Sequence, residues 1–231
     1  MYFNSTYFIF ALPALLLGLY AQFKIKSAYS KYLKVRNRRN ITGYEAAQRL
    51  LRVNGLDDIQ IAEVAGELTD HYDPRHNRLS LSPGVARTDS LAGLSIVAHE
   101  VGHAVQDKEG YFMLKVRGSL VPVVQIGSWA GPVLFIVGML LASSSLATVG
   151  LFLFSGTLVF SLVTLPVEYN ASARAVAMLE SSGLIVSDEE TRGARAVLSA
   201  AALTYVAPAV QSRAHIRDYA SRVSGTRRRG T

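Results

Sequence analysis

No charged residue occurs between Arg117 and Glu168, a stretch long enough for two membrane passes of about 20 residues each, joined by a short turn. Ser143, Ser144 and Ser145 mark the turn. They divide the stretch into a first pass over Leu120–Leu141, with Pro122 and Pro132 as kink positions, and a second over Leu146–Leu165. Gln125 and Ser128 are the strongly polar side chains of the first pass, tolerable where they face the other helix. A composition that is 50 % hydrophobic, with a mean hydropathy of +0.23, fits a membrane protein better than an ordinary soluble globule.

A third apolar run, Phe3–Phe23, is followed at once by Lys24, Lys26, Lys31, Lys34, Arg36, Arg38 and Arg39. No basic segment precedes it and it is too long for the apolar core of a cleaved signal, so a retained anchor is expected. The positive-inside rule then places the basic cluster in the cytoplasm and the N-terminus outside. The absence of cysteine gives no sign of a disulfide-stapled ectodomain. The net charge of +7 is concentrated beside the first span and in the Arg227–Arg229 tail, with no recognition motif. Contact with anionic lipid headgroups explains that placement, and nucleic acid is not expected as a partner.

Between the first span and the membrane hairpin the chain carries ordinary globular signals. Thr42-Gly43-Tyr44-Glu45 is a capping box that opens a small helix, ended by Asn54-Gly55. Ile59, Ile61 and Val64 alternate with polar residues as in a half-buried strand, as do Leu79 and Leu81. Asp73–Asn77 reads as a turn, making Glu67–Ser82 a hairpin or meander. A helix is expected from Ser90 to Lys108, capped by Thr88 or Asp89 and stopped by Gly110. Beyond the hairpin, Glu168–Ser182 reads as a helix, and Ser187-Asp188-Glu189-Glu190 as a second capping box opening an Ala-rich helix that reaches Val206.

The Ser90–Lys108 helix contains His99, Glu100 and His103, in the His-Glu-x-x-His order of a zinc hydrolase. Positions four apart share one face of a helix, so both imidazoles can reach one metal ion. Glu100 is turned by roughly 100° from His99 and sits where it can take a proton from the attacking water. A catalytic zinc ordinarily holds three protein ligands, so a third is required. The metzincin pattern is excluded, because Gln106 and Glu109 stand where it needs Gly and His. Glu109, Glu180 and Glu189 are candidates more simply read as solvated helix carboxylates. Glu168 is better placed: the hairpin leaves after Arg117 and returns at Glu168, on the side of the two histidines. A carboxylate at a span end with no basic neighbour before Arg174 has a desolvation cost that metal ligation would offset.

TDHYDPR (Thr69–Arg75), AHEVGHAVQ (Ala98–Gln106), LPVEYNASARA (Leu165–Ala175) and AALTYVA (Ala201–Ala207), in this order around a membrane hairpin, resemble the YugP-type membrane zinc metallopeptidases of bacteria. More distantly the layout resembles membrane-integrated gluzincins, in which a Glu of a Glu-aromatic-x-Ala-Asp segment is the third zinc ligand. That correspondence falls on Glu168, with Tyr169 and Ala171. Where those distant relatives carry Asp this chain has Ser172, so the contact to a zinc-bound histidine must be weaker or come from elsewhere. The resemblance also makes His71, Tyr72 and Tyr205 candidates for substrate binding or oxyanion stabilisation. Arg174 is a candidate partner for a carboxylate near the metal. The narrower family tends to end in a further hydrophobic segment, whereas this chain turns basic after Val210, and three spans are counted here.

The expected fold is therefore an α+β membrane protein: a largely helical zinc-metallopeptidase domain with a small β element and three transmembrane helices. Its divisions would be an anchor (1–23), the first part of a cytoplasmic peptidase domain (24–117), a transmembrane hairpin (118–167), the part that completes the domain (168–210) and a basic tail (211–231). The expected activity is Zn²⁺-dependent endopeptidase cleavage of membrane-associated or misfolded proteins at the cytoplasmic membrane surface, with a strand edge beside the motif helix holding an extended substrate. A zinc hydrolase of non-peptide bonds and an inactive zinc-containing scaffold are the alternatives.

Overall fold

The structure is a computed structural model that describes residues 5–141 and 143–203. It is mostly helical, with one small sheet. In chain order the elements are α1 (Ser5–Leu33), α2 (Gly43–Val53), β1 (Gln60–Glu63), β2 (His71–Asp73), β3 (Arg78–Leu81), α3 (Pro83–Ala86), α4 (Leu91–Lys108), α5 (Phe112–Leu140) and α6 (Ser144–Ser181), and residues 188–203 are again helical. The described residues divide into two compact units, one of residues 22–115 and 166–202, the other built on residues 5–21 and 116–165.

In the first of these units α4 is the central element, its apolar side chains Leu91, Leu94, Val97, Ala98 and Val101 almost wholly buried. A helix apolar on most of its circumference is stable only when covered on most sides. Here α2 covers one side with Ala46, Ala47, Leu50 and Leu51, and Leu79, Leu81, Ala175, Leu179, Leu184 and Leu198 join the same core. The α2 capping box forms as expected: the Thr42 hydroxyl accepts from Glu45 N–H at 3.2 Å, and Thr42 N–H donates to Glu45 Oε2 at 2.7 Å. The cap of α4 differs from the expected Thr88 or Asp89. It is Ser90, whose hydroxyl accepts from Gly93 N–H at 3.0 Å. Both expected caps are engaged elsewhere, Thr88 Oγ1 with the Gly84 carbonyl at 2.6 Å and Asp89 with Arg36 at 2.8 Å. Gly110, at φ +67°, turns the chain out of α4 as expected.

The sheet has the order β1-β3-β2. The expected hairpin is β2 and β3, antiparallel with Tyr72 opposite Leu79, while β1 runs parallel to β3 with Ile61 opposite Leu79. Half of the second expected capping box forms, with Glu190 N–H donating to Ser187 Oγ at 3.3 Å, while Glu190 Oε2 accepts from the N–H of Val186, at 3.0 Å. The segments read separately as a second pass and a Glu168–Ser182 helix form the single helix α6, which continues through Pro166.

In the other unit, α5 continues through Pro122 and Pro132. Its outer face carries Val123, Ile126, Trp129 and Ile136, all exposed. Backbones of α5 and α6 approach closely there: a Cβ at Gly127 would lie 2.8 Å from the Leu153 carbonyl oxygen, and one at Gly150 would lie 2.7 Å from that of Gly131. Small residues at such crossings are typical of helices packed in lipid. Against the expected three spans, one helix among the described residues, Phe112–Gly138, is long and apolar enough to cross a membrane.

Candidate metal centre

His99 and His103 stand one turn apart on the buried face of α4, their ring centroids 4.7 Å apart and the rings nearly perpendicular. Glu168, likewise buried, reaches them from α6. Its Oε2 lies 3.1 Å from His99 Nε2 and its Oε1 3.7 Å from His103 Nε2. Gly102 makes the approach possible, because a Cβ there would sit 2.8 Å from the carbonyl oxygen of Ala171.

This donor set fits zinc. Two imidazole nitrogens and a carboxylate oxygen are its usual catalytic ligands, and donors at about 2.0–2.1 Å in a tetrahedron lie about 3.3–3.5 Å from one another. The 3.1 and 3.7 Å separations bracket that spacing, and one atom from each of the three residues lies within 4.8 Å of the others. Burial pushes the Glu168 carboxyl up, but hydrogen bonds and charge from His103 and His99 outweigh it and hold the group well below the ordinary carboxylate range.

Each histidine is held at its other nitrogen. Ser172 Oγ is 3.3 Å from His99 Nδ1, so the small residue standing in the Asp position contacts the ring itself, as a neutral partner. Gln106 Oε1 is 3.0 Å from His103 Nδ1, and Gln106 Nε2 donates to the Val167 carbonyl and to Asn170 Oδ1, each at 2.9 Å. From the sequence alone, Gln106 had no role beside the metal ligands. Its signal was its position three residues after His103, on the face of α4 that already carried the motif.

Glu100 lies at the rim of this group. Burial raises its carboxyl above the ordinary carboxylate range, and the charges of the two histidines offset that rise only in part. The backbone N–H of Tyr72 donates to Glu100 Oε2 at 3.1 Å. The N–H that edge strand β2 turns toward α4 at this residue is therefore engaged by the motif carboxylate.

The other candidates lie elsewhere. Glu109 forms a two-point ion pair with Arg174, at 2.6 and 3.0 Å, at the end of α4. Glu180 and Glu189 are exposed, the first beside Thr191 Oγ1 at 3.4 Å and the second beside Arg38 at 3.6 Å. His71 is exposed, with Nδ1 2.8 Å from the Thr69 carbonyl. The Tyr72 hydroxyl donates to Asp107 Oδ2 at 3.0 Å, so this residue meets the motif through its backbone and Asp107 through its ring. Tyr205 lies outside the described residues, as does the Arg227–Arg229 tail.

Residues 7–223 match the family described as "Putative neutral zinc metallopeptidase". The chain is also 48 % identical, over 206 residues, to "Putative membrane protease YugP" of Bacillus subtilis (strain 168), an alignment that covers 89 % of this chain and 91 % of that relative. No solved structure matches the chain. The matched family is one of peptidases, whose substrates are peptides or proteins and whose metal is zinc. A match over nearly the whole length, joined to that identity, places the chain in the neutral zinc metallopeptidase family.

Proposed function

We propose that this protein is a membrane-bound zinc endopeptidase of gluzincin type, in which His99, His103 and Glu168 hold the metal and Glu100 carries the proton. The observation that bears this reading is the convergence of three buried ligand side chains from α4 and α6 beside a carboxylate on the same helical turn. Zinc bound there supplies Lewis-acid polarisation of the scissile carbonyl and a more acidic water. Glu100 takes a proton from the water as its oxygen attacks the carbonyl carbon, and returns it to the amide nitrogen as the C–N bond breaks. The Tyr72 N–H donates to that carboxylate at 3.1 Å and so fixes one of its oxygens.

The domain layout read from the sequence belongs to the same proposal: an anchor (1–23), a transmembrane hairpin (118–167), and a peptidase domain assembled from 24–117 and 168–210 at the cytoplasmic surface. Its support is the Lys/Arg cluster after the first apolar run and the exposed apolar face of α5. Membrane-associated or misfolded proteins are then the substrates within reach.

The test uses the purified full-length chain in detergent with a fluorogenic peptide library, before and after chelation. Hydrolysis that disappears on chelation and returns with zinc is expected. A chain that binds one zinc per molecule and cleaves no peptide contradicts the reading and points to a scaffold.

A further inference from the structure

A chain of polar side chains runs from the buried motif to the surface in the unit that holds the site. His103 contacts Gln106, Gln106 contacts Asn170, Asn170 contacts Arg174, and Arg174 pairs with Glu109. The zinc reading assigns none of the three middle residues a role. Gln106 is wholly buried, and an amide in that setting needs partners for both its ends.

Two groups in this chain can play only one part in a hydrogen bond. The Val167 carbonyl can only accept, so the Gln106 atom 2.9 Å from it must be the NH₂. The Arg174 guanidinium can only donate, so the Asn170 atom 2.8 Å from its Nε must be the carbonyl oxygen. That same Asn170 oxygen accepts the second Gln106 N–H at 2.9 Å, so the two amides are oriented from both directions. Gln106 is left with its carbonyl oxygen toward His103 Nδ1 at 3.0 Å. Nδ1 must then carry a hydrogen, and in the neutral ring the lone pair lies on Nε2, the nitrogen that faces Glu168.

We infer that Gln106, oriented by the Val167 carbonyl and by Asn170 with Arg174, is a positioning residue that selects the metal-binding tautomer of His103. Its bond to Val167 also steadies the backbone next to Glu168, so one side chain braces two ligands. The inference rests on the ligand set proposed above. Among the described residues, the second nitrogen of His99 meets the Ser172 hydroxyl at 3.3 Å. A hydroxyl can donate or accept and so imposes no tautomer, which leaves His103 as the ring whose tautomer the protein dictates.

The experiment measures zinc affinity by competition with a chromophoric chelator, on the full-length chain in detergent, with the visible spectrum of the Co²⁺-substituted protein as a second readout. Gln106→Met fills the same volume without an acceptor and should weaken zinc by about 10- to 100-fold, the usual cost of losing a partner behind a ligand histidine. Gln106→Glu keeps an acceptor for Nδ1 and should retain more affinity than the Met variant, although it loses both donated bonds. If Gln106 served only to tie α4 to α6 through the bonds it donates to Val167 and Asn170, both variants would lose that tie and Glu would retain no more affinity than Met. Asn170 is half-buried and tolerates change more readily: Asn170→Asp keeps the acceptor and should stay within about twofold, whereas Asn170→Leu should lose several-fold. Val101→Ala, a core change outside the chain of contacts, controls for general loosening. Zinc affinity within twofold of wild type in both Gln106→Met and Asn170→Leu would overturn this inference alone. Absence of zinc binding by the wild type would instead remove the ligand assignment on which it stands.

Discussion

Gly102 of α4 lies against the backbone of Ala171 of α6 so closely that a Cβ at Gly102 would stand 2.8 Å from the Ala171 carbonyl oxygen. The obstacle is main chain, which cannot swing aside as a long side chain would. Gly102 falls between the two motif histidines, and Ala171 is one turn beyond Glu168, so this contact sets the distance between the two halves of the ligand group. Gly102→Ala should push the helices apart, destabilising the protein by about 1–3 kcal/mol and lowering its zinc content. Gly118→Ala, whose Cβ would meet nothing within 4 Å, should leave zinc unchanged. Thermal unfolding together with metal analysis of both variants checks this, and equal behaviour of the two would sink it.

Glu100→Gln should keep bound zinc while hydrolysis falls by at least about 100-fold, because a general base contributes about 10² to 10⁴ and the ligands are untouched. His99→Ala should lose both metal and activity. Peptide cleavage assayed beside zinc stoichiometry separates the two variants. Substantial proteolysis by purified Glu100→Gln protein would remove Glu100 from its role.

The proposed topology predicts that a cysteine introduced at position 36 is shielded from a membrane-impermeant thiol reagent in intact cells, while one at position 144 is labelled. The basic run from Lys24 to Arg39 is the reason. Since the natural chain has no cysteine, the background is clean. Labelling at 36 without labelling at 144 means an inverted chain.

The features legible in the sequence were those whose cause is local. The Thr42–Glu45 capping box, the Gly110 stop and the shared face of His99 and His103 each depend on residues within about a turn of one another. The nearness of Glu168 to the two histidines, though distant in sequence, was legible from the uncharged hairpin and the span-end carboxylate. What escaped depended on long-range packing. The parallel pairing of β1 with β3 leaves no local mark, because a strand's pattern records which face is buried and not which neighbour it has. The α4 cap fell on Ser90 because contacts from Gly84 and Arg36, remote along the chain or across a turn, engaged Thr88 and Asp89. Gln106 looked like an ordinary helix amide until α6 supplied Val167 and Asn170 as its partners. Tyr72 was expected to serve the substrate, whereas its backbone N–H touches Glu100.

Zinc stoichiometry of Glu168→Gln, compared with Glu109→Gln in otherwise identical preparations, tests the metal centre most directly. Glu109 is exposed and paired with Arg174, so its replacement removes a surface ion pair of about 0–1 kcal/mol and should leave zinc and activity near wild type. Glu168 is buried against both histidines, and its replacement should strip the metal under mild chelation and abolish cleavage. Full zinc retention by Glu168→Gln under conditions in which His99→Ala is empty would contradict the assignment of Glu168 as the third ligand.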